Sequence, residues 1–357
     1  MSLSLQAFTV VCALIFGINI GSFLNVVIWR LPRGGSIAVP RWSYCPRCEH
    51  RLGILDLVPI VSFVALRGRC RYCGDRISWR YPAIELLTAC LFAIVAWKYY
   101  GSTVDTVCYC LFVAVLVCVF FIDLEHFLIP DGLNVTAALI GFAHNGLAVA
   151  LRHPGQFGVV AGVMLPASVI GFGVYAAIVY TVGLLSYMVL ARRNPFVSAW
   201  VYISDNVVDW CEIALYYAAA VIPPLRRFVR PCEPLEGWTA AEIEADEDAG
   251  GMGSGDGKLA AAIGANLYAL LALQSFLLAI FMGSIAGLAM MIKQRRRLGK
   301  TAMPFGPYMA AGAFLSLIFG PNLVTLWQWY LLTAAGGPQS NITPTAGGSQ
   351  SHLMPAP

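Results

Sequence analysis

"VDTVCYCLFVAVLVCVFFID", residues 104–123, is an apolar run whose acidic side chains lie only near its two ends. A helix needs about 20 mostly apolar residues to cross the hydrocarbon core of a bilayer. Inside that core every backbone N–H and C=O group must be paired, and a helix pairs them within one segment. The run therefore predicts a membrane-spanning helix over residues 104–122 that ends at Asp123.

The composition of the whole chain extends this interpretation. Of its 357 residues, 59% are hydrophobic and 12% are charged, whereas an average soluble domain has about 25% charged residues. Since each apolar run of about 17–25 residues can cross a bilayer, we predict an all-α polytopic membrane protein with about eight transmembrane helices. The further runs are residues 7–28, 82–100, 132–151 and 158–185, two shorter pieces within 258–292, and 308–320.

Residues 259–292 carry no charge, and the apolar stretch 258–292 is too long for one crossing. As a single helix it would measure about 52 Å at 1.5 Å per residue, against a hydrocarbon core of about 30 Å. One crossing would also carry the basic cluster 293–297 to the opposite side of the membrane. We therefore predict two short helices that bend near Gln274, or a re-entrant pair.

The charges predict which side of the membrane each loop faces. Residues 30–80 hold ten Arg against Glu49, Asp56 and Asp75, a net charge of +7. Because loops rich in Lys and Arg stay in the cytoplasm, this loop is predicted to be cytoplasmic. Nucleic-acid binding is the less favoured interpretation of these Arg residues, and we predict no nucleic-acid partner.

The same patterns divide the chain into six parts. Residues 336–357 are rich in Gly, Pro, Ser and Thr, a composition that favours a disordered tail. The remaining parts are a first transmembrane helix (1–29), a cytoplasmic loop with four cysteines (30–81), transmembrane helices that include Asp123 (82–185), a cytoplasmic insert (186–250) and the C-terminal helices (251–335).

Two CxxC pairs lie in the loop that the charges place in the reducing cytoplasm. They are formed by Cys45, Cys48, Cys70 and Cys73, and four thiolates at such spacing can converge on one tetrahedral Zn²⁺. The alternative is four buried cysteines without metal, which a short Arg-rich loop with a small core makes hard to sustain. Since all four ligands are Cys, no position is left for a catalytic water, and we predict a structural zinc site.

Two acids stand where apolar helices meet water. Asp123 ends one predicted span, where the helix dipole disfavours a negative charge, and Asp256 lies among glycines in GMGSGDGKLA, residues 251–260. The predicted topology brings both acids to the cytoplasmic face. The alternative is that Asp123, like Glu125 and Asp131, is a solvated boundary residue, but an acid so close to lipid as Asp123 is costly unless it is used or paired.

Two such carboxylates could perform hydrolysis. Like charges at the edge of a low-dielectric bundle repel, so one carboxyl group holds a proton while the other stays ionised. The ionised group could act as general base on a water, and the protonated group could polarise a peptide carbonyl. Glycines 253, 255 and 257 would let a peptide backbone approach Asp256. We expect substrate contacts at Gly253, Gly255 and Lys258.

Several of these stretches together resemble the type IV prepilin peptidase family. The matching segments follow the order of the family's motifs and cover most of residues 10–135 and 250–320. They are residues 21–32 (GSFLNVVIWRLP), the two CxxC pairs, 66–70 (LRGRC), 80–87 (RYPAIELL), Asp123-x-Glu-x-x-x-Ile-Pro-Asp131, 253–259 (GSGDGKL) and 304–307 (PFGP).

The resemblance implies a GxGD-type aspartyl protease of the bacterial inner membrane, with Asp123 and Asp256 as its catalytic acids. Its substrates would be prepilins or pseudopilins, cleaved at the cytoplasmic face beside membrane lipid. The resemblance also implies N-methylation of the new N-terminus with S-adenosylmethionine, although no stretch of this chain is a typical methyltransferase glycine loop. The insert between Arg192 and Gly250 is longer than the family's usual connection, which leaves its role open.

Other classes of function remain possible at this stage. The chain could be a membrane scaffold whose zinc module docks a partner, or a transporter that uses Asp123 and Asp256 as a proton relay. Relay acids normally lie within the span, whereas these two lie at its edge. Residues 233–248 carry seven acids and no base; they could attract a basic leader or form a solvated linker. The sequence does not fix the oligomeric state or the identity of the prepilins.

Overall fold

The computed structural model describes residues 2–40, 42–151, 156–160, 163–190, 254–294 and 303–334, together with 203, 206, 208–213 and 215 of the insert. The tail predicted at 336–357, Gly253 and most of the insert lie outside the described residues. The helices are α1 (Ser2–Arg30), α2 (Val61–Ala65), α3 (Arg80–Lys98), α4 (Thr103–His126), α5 (Asp131–Ala150), α6 (Ala167–Leu190), α7 (Ser254–Gln294) and α8 (Gly306–Ala334).

Six helices of the described chain are long and apolar enough to cross a membrane: α1, α3, α4, α5, α6 and α7. Residues Gly306–Gly320 of α8 form a shorter apolar helix. The structure therefore confirms a polytopic helical protein, whereas the predicted count of about eight spans is not reached in this part of the chain. Two segments account for the difference. We predicted two crossings where the structure has the single helix α7, and the apolar part of α8 is shorter than the other six helices.

The bend in the long C-terminal stretch is not where we predicted it. Helix α7 runs from Ser254 to Gln294 and leaves helical geometry at Tyr268, with φ 60° and ψ 176°. The Tyr268 hydroxyl donates a hydrogen bond to Gln156 Oε1 at 3.1 Å, so the bend contacts the segment after α5. Gln274 stays within the helix and packs against Gly320 of α8. The polar residue Gln274 therefore lies at a contact between α7 and α8 and does not interrupt the helix.

Two further boundaries differ from the prediction. Residues expected to start a helix at 158 form an antiparallel hairpin of β1 (Phe157–Val160) and β2 (Val163–Pro166). Val-rich segments favour extended backbone, and the hairpin ends at Pro166, directly before α6. Helix α8 continues past Pro321 to Ala334, although we expected its end near Gly320. Proline is tolerated within membrane helices because neighbouring groups pair the carbonyl that it frees.

Helix α4 lies at the centre of the bundle, where it contacts α1, α3, α5 and α8. Its buried side chains form a continuous block from Phe112 to Val119, followed by Ile122 and Asp123. A helix that is apolar around most of its circumference is typical of such a central position. This central helix therefore places one acid, Asp123, at the end of the buried core.

Close backbone contact joins α1 to α3. A Cβ atom on Gly17 would lie 2.6 Å from the Cα of Ala89, and one on Gly21 would lie 2.7 Å from the Cα of Glu85. Glycines spaced four residues apart let two membrane helices approach closely. These two glycines position the first helix against the start of the second spanning helix.

We expect Gly17→Ala to lower the free energy of unfolding by about 1–3 kcal/mol, because the added methyl group meets the backbone of Ala89. Gly146 is a matched control, since a Cβ there meets no atom of the described residues within 4 Å. Gly146→Ala should be neutral or stabilise by up to about 1 kcal/mol through helix propensity. Thermal unfolding of both variants in one detergent checks this, and equal midpoints would contradict the contact.

Candidate active site

Asp123 occupies the last turn of α4 and is 4% exposed. The helix ends three residues later, where Phe127 adopts a left-handed conformation and its N–H donates to the carbonyl of Asp123. The Gly306 N–H donates to Asp123 Oδ2 at 2.9 Å. Since Gly306 is the first residue of α8, the carboxylate lies at the positive end of that helix. This contact offsets the unfavourable dipole of α4.

Gly306 is required by that contact. A Cβ atom at this position would lie 2.6 Å from Asp123 Oδ2 and 3.1 Å from Cδ1 of Ile129. Any larger residue would therefore push the carboxylate off the helix end. The sequence showed PFGP only as part of a motif, and the role of its glycine emerges from the tertiary contact.

Asp256 lies in the first turn of α7 and is half-buried. A carboxylate in the first turn interacts favourably with the dipole of its own helix. Both candidate acids therefore stand at helix N-termini, Asp256 at α7 and Asp123 at α8. At Asp123 this position places the N–H of Gly306 beside the carboxylate.

Ile129 lies between the neighbours of the two acids and contacts both of these neighbours. It is 7% exposed and lies in the connection between α4 and α5. A Cβ atom on Gly255, next to Asp256, would lie 3.4 Å from Cβ of Ile129, and the same side chain approaches Gly306, the partner of Asp123. Asp123 and Asp256, 133 positions apart in the sequence, are thus brought to one region of the fold.

The space beside two of the GxGD glycines is filled by the protein itself. Ile129 lies against Gly255, and the ring of Tyr180 lies against Gly257 closely enough to exclude any side chain there. From the sequence we predicted that these glycines make room for a substrate backbone. The structure gives them an internal reason, which is the packing of α7 against α6 and the connection after α4.

Lys258 is 6% exposed and is held by two carboxylates. Its Nζ lies 3.0 Å from Asp131 Oδ1 and 3.4 Å from Asp209 Oδ2. Asp131 is the first residue of α5, whereas Asp209 belongs to the insert. The neighbouring Trp210 donates its indole N–H to the Tyr180 hydroxyl at 2.9 Å. The insert therefore contacts two helices through adjacent residues, the start of α7 through Asp209 and α6 through Trp210.

This arrangement predicts non-additive effects at the two carboxylates. Asp209→Asn or Asp131→Asn alone leaves Lys258 one partner, and because both acids are partly exposed each should cost less than about 1 kcal/mol. The double variant leaves a buried ammonium unpaired and should cost about 3 kcal/mol or more. Thermal unfolding measures the difference. Glu212→Gln removes an exposed acid of the same segment and serves as control; simple additivity would contradict the shared ion pair.

The four-cysteine loop forms a second candidate site. The Sγ atoms of Cys45, Cys48, Cys70 and Cys73 all lie within 4.8 Å of one another, and those of Cys45 and Cys73 are 3.9 Å apart. A tetrahedral Zn²⁺ with Zn–S bonds of about 2.3 Å places its sulfurs about 3.8 Å apart. The donor set and its dimensions therefore fit a metal ion of this kind.

The two CxxC segments fold alike. The N–H of the residue four positions after the first Cys donates back to that Cys carbonyl, from Glu49 to Cys45 at 2.8 Å and from Gly74 to Cys70 at 3.0 Å. Glu49 and Gly74 both have positive φ, 55° and 71°. Backbone N–H groups, first that of Cys73, lower the pKa of Cys70 to about 7, which favours the thiolate that a metal needs.

Ion pairs and hydrogen bonds hold this loop together and join the helix that follows it to α4. Asp56 is hydrogen-bonded by Arg71, Tyr72 and the N–H of Gly53. Although desolvation acts in the opposite direction, these donors lower the pKa of Asp56. Arg80 at the start of α3 pairs with Glu125, two residues after Asp123. The helix that follows the cysteine loop is therefore paired with the end of the helix that carries the first acid.

These observations define a polytopic helical membrane protein with two acids at helix N-termini and a four-cysteine site between its first two spanning helices. Two family models match the chain: Bacterial Peptidase A24 N-terminal domain over residues 15–99, and Type IV leader peptidase family over residues 110–288. The chain belongs to the type IV leader peptidase family.

Curated relatives agree with these matches. A protein of Aeromonas salmonicida (strain A449) is 30% identical over 344 residues, which cover 89% of this chain and 92% of that protein. A protein of Bacillus subtilis (strain 168) is 27% identical over 313 residues, 88% of this chain and 95% of its own length. A Myxococcus xanthus protein is 46% identical over 129 residues, 36% of this chain and 38% of that protein. All three are named prepilin leader peptidase/N-methyltransferase. No solved structure matches the chain significantly.

Proposed function

We propose that this protein is a membrane-embedded aspartyl endopeptidase that removes the leader of type IV prepilins or pseudopilins and then N-methylates the new N-terminus. The observation that carries the peptidase is the convergence of Asp123 and Asp256 on one region through Ile129 and Gly306. Family membership and the names of the full-length relatives support both activities. A scaffold without catalysis is disfavoured because both acids are present at helix N-termini.

In the proposed mechanism the two carboxyl groups share the work of hydrolysis. Repulsion between them keeps one protonated while the other is ionised. The ionised group removes a proton from water as the water oxygen attacks the scissile carbonyl. The protonated group donates to the carbonyl oxygen, and the pair later delivers a proton to the leaving amine as the C–N bond breaks. The products are the released leader, which ends in a new carboxylate, and the shortened pilin with a new N-terminal amine.

The topology supports a cytoplasmic location for this chemistry. We propose that the protein lies in the bacterial inner membrane, with the cysteine loop and both acids at the cytoplasmic face, because residues 30–80 carry a net charge of +7. A prepilin presents a short basic leader on that side and an apolar helix in the lipid. Acids at the ends of spanning helices can reach the border between the two.

The cysteine loop is proposed to bind one Zn²⁺ through Cys45, Cys48, Cys70 and Cys73. Four thiolates complete a tetrahedral ion, so the metal stabilises the loop and takes no part in hydrolysis. For the second activity, S-adenosylmethionine would supply a methyl group bound to a sulfonium. The chain's own part in that step is to bind the methyl donor and bring the new amine to it.

The experiment that tests both activities uses the intact mass of a prepilin from the same genome. The prepilin is incubated with purified full-length enzyme in detergent, with and without S-adenosylmethionine. Loss of the leader establishes the peptidase, and one added methyl group that depends on S-adenosylmethionine establishes the transferase. A prepilin that keeps its leader here, while a relative removes it under the same conditions, would contradict the proposed peptidase.

A further inference from the structure

A cavity of about 380 Å³ lies between the end of α1, the cysteine loop and the start of α3. This volume is in the range of small-molecule sites, about 300–1,000 Å³. Aromatic rings line it from three directions: Trp29 from α1, Tyr44 and Phe63 from the loop, and Tyr81 from α3. Such walls suit a flat heterocyclic ring. The cavity is separate from Asp123 and Asp256, neither of which lines it.

Hydrogen-bond acceptors form the inner part of the cavity. Glu85 is 7% exposed, and its Oε2 accepts from the Ile60 N–H at 2.7 Å. Asn25 is 2% exposed and donates its side-chain N–H₂ to the carbonyls of Gly21 and Tyr81. Among the residues that the structure describes, no group donates to the buried Asn25 Oδ1. A bound group with N–H donors or positive charge would therefore be stabilised there.

The outer part of the cavity carries a net positive charge. Arg47, Arg76 and Asp75 line it and are exposed, and Arg71 there is paired with Asp56. Arg30 also lines it, but its guanidinium is directed to four carbonyl oxygens of residues 36–42. The cavity thus combines buried acceptors, aromatic walls and a cationic rim. A ligand with a cationic centre, a flat ring and a carboxylate matches all three features.

We propose that this cavity binds S-adenosylmethionine, with Glu85 and Asn25 facing the sulfonium and amino groups and the aromatic residues facing the adenine. The inference rests on the proposed methyltransferase activity and assigns it a site. A phospholipid head group is the competing ligand for Arg residues near a membrane. It is disfavoured because its phosphate would be placed beside the buried carboxylate of Glu85.

The site is placed where a newly formed amine can reach it. Glu85 follows Arg80 by five residues on α3, a rise of about 7.5 Å, and Arg80 pairs with Glu125 beside Asp123. In the transfer step the new pilin amine forms an N–C bond to the methyl carbon and the methyl–sulfonium bond breaks. S-Adenosylhomocysteine leaves, and one proton of the amine passes to water.

Binding of S-adenosylmethionine to the purified full-length enzyme, measured by calorimetry in detergent, tests the site directly. Ser62 lines the cavity, whereas its neighbour Val61 is 63% exposed and does not. We expect Ser62→Trp to abolish binding and Val61→Trp to leave it unchanged. Glu85→Gln keeps an acceptor for Ile60 but loses the charge, and should weaken binding by about 10- to 100-fold. Glu49→Gln removes an exposed acid of the same loop and should have no effect.

A second measurement on the wild-type enzyme does not depend on a variant folding. Ultraviolet cross-linking of radiolabelled S-adenosylmethionine should label peptides that contain Trp29, Tyr44 or Tyr81. Labelling confined to other helices, or unchanged affinity in both Ser62→Trp and Glu85→Gln, would overturn the proposal. Binding that is lost only when anionic lipid is added would assign the cavity to lipid. If a prepilin is cleaved and methylated while the cavity variants bind normally, the proposed function stands and this site fails.

Discussion

Enzyme with Asp256→Asn should leave a prepilin with its leader attached under conditions in which the wild type removes it completely. Asparagine has nearly the shape of aspartate but cannot accept a proton from water or pass one to a leaving amine. Loss of one acid–base group costs about 10²- to 10⁴-fold in rate. Asp123→Asn should show the same loss for the same reason. Its fold should be retained, because the side-chain oxygen of asparagine can still accept the Gly306 N–H. A time course of intact prepilin mass measures both rates.

The matched control is Glu212→Gln, which removes an exposed acid of the insert three positions after Asp209. It should cleave at the wild-type rate. Metal content and thermal stability of all three variants should equal those of the wild type, so that a loss of cleavage reports chemistry. Cleavage by Asp256→Asn within a few-fold of the wild-type rate would show that Asp256 is not one of the catalytic acids.

The spanning helices could be predicted from the sequence because their cause is local. An apolar run as long as residues 104–122 has one stable state in a bilayer, so its ends follow from its length. The bend at Tyr268 and the hairpin at 157–166 depend on other causes. Tyr268 is held by a hydrogen bond to Gln156, which lies 112 positions away. The hydrophobic pattern of residues 258–292 therefore could not predict where the helix bends.

The candidate site divides in the same way. Asp123 and Asp256 could be singled out because a charged side chain beside an apolar run is costly, and the CxxC pairs because their spacing is that of metal ligands. The contacts that organise them were not predictable. Gly306 bonds to Asp123 across 183 positions, and Lys258 is paired by carboxylates from α5 and the insert. The cavity lined by Glu85 likewise exists only once α1, the loop and α3 come together.

The second large effect is expected in the cysteine loop, because this loop has almost no core of its own. Of the described residues between Leu31 and Trp79, only Cys45, Phe63 and Cys70 are buried. A segment that buries so little apolar surface cannot offset its loss of chain entropy. Binding of a structural zinc ion contributes about 10–16 kcal/mol in small zinc domains. The metal should therefore decide whether the loop is folded.

Cys70→Ser should accordingly lose its bound zinc and expose the loop to limited proteolysis between residues 34 and 79. Cys211→Ser is the matched control, since Cys211 is an exposed cysteine outside the cluster. It should retain the metal and the wild-type digestion pattern. Metal content by mass spectrometry and the rate of loop cleavage are measured on the same samples. Because Tyr44 and Phe63 of this loop form walls of the proposed S-adenosylmethionine cavity, the same variant should also stop methyl transfer. A Cys70→Ser enzyme that keeps a metal ion and a protease-resistant loop would contradict the four-thiolate site.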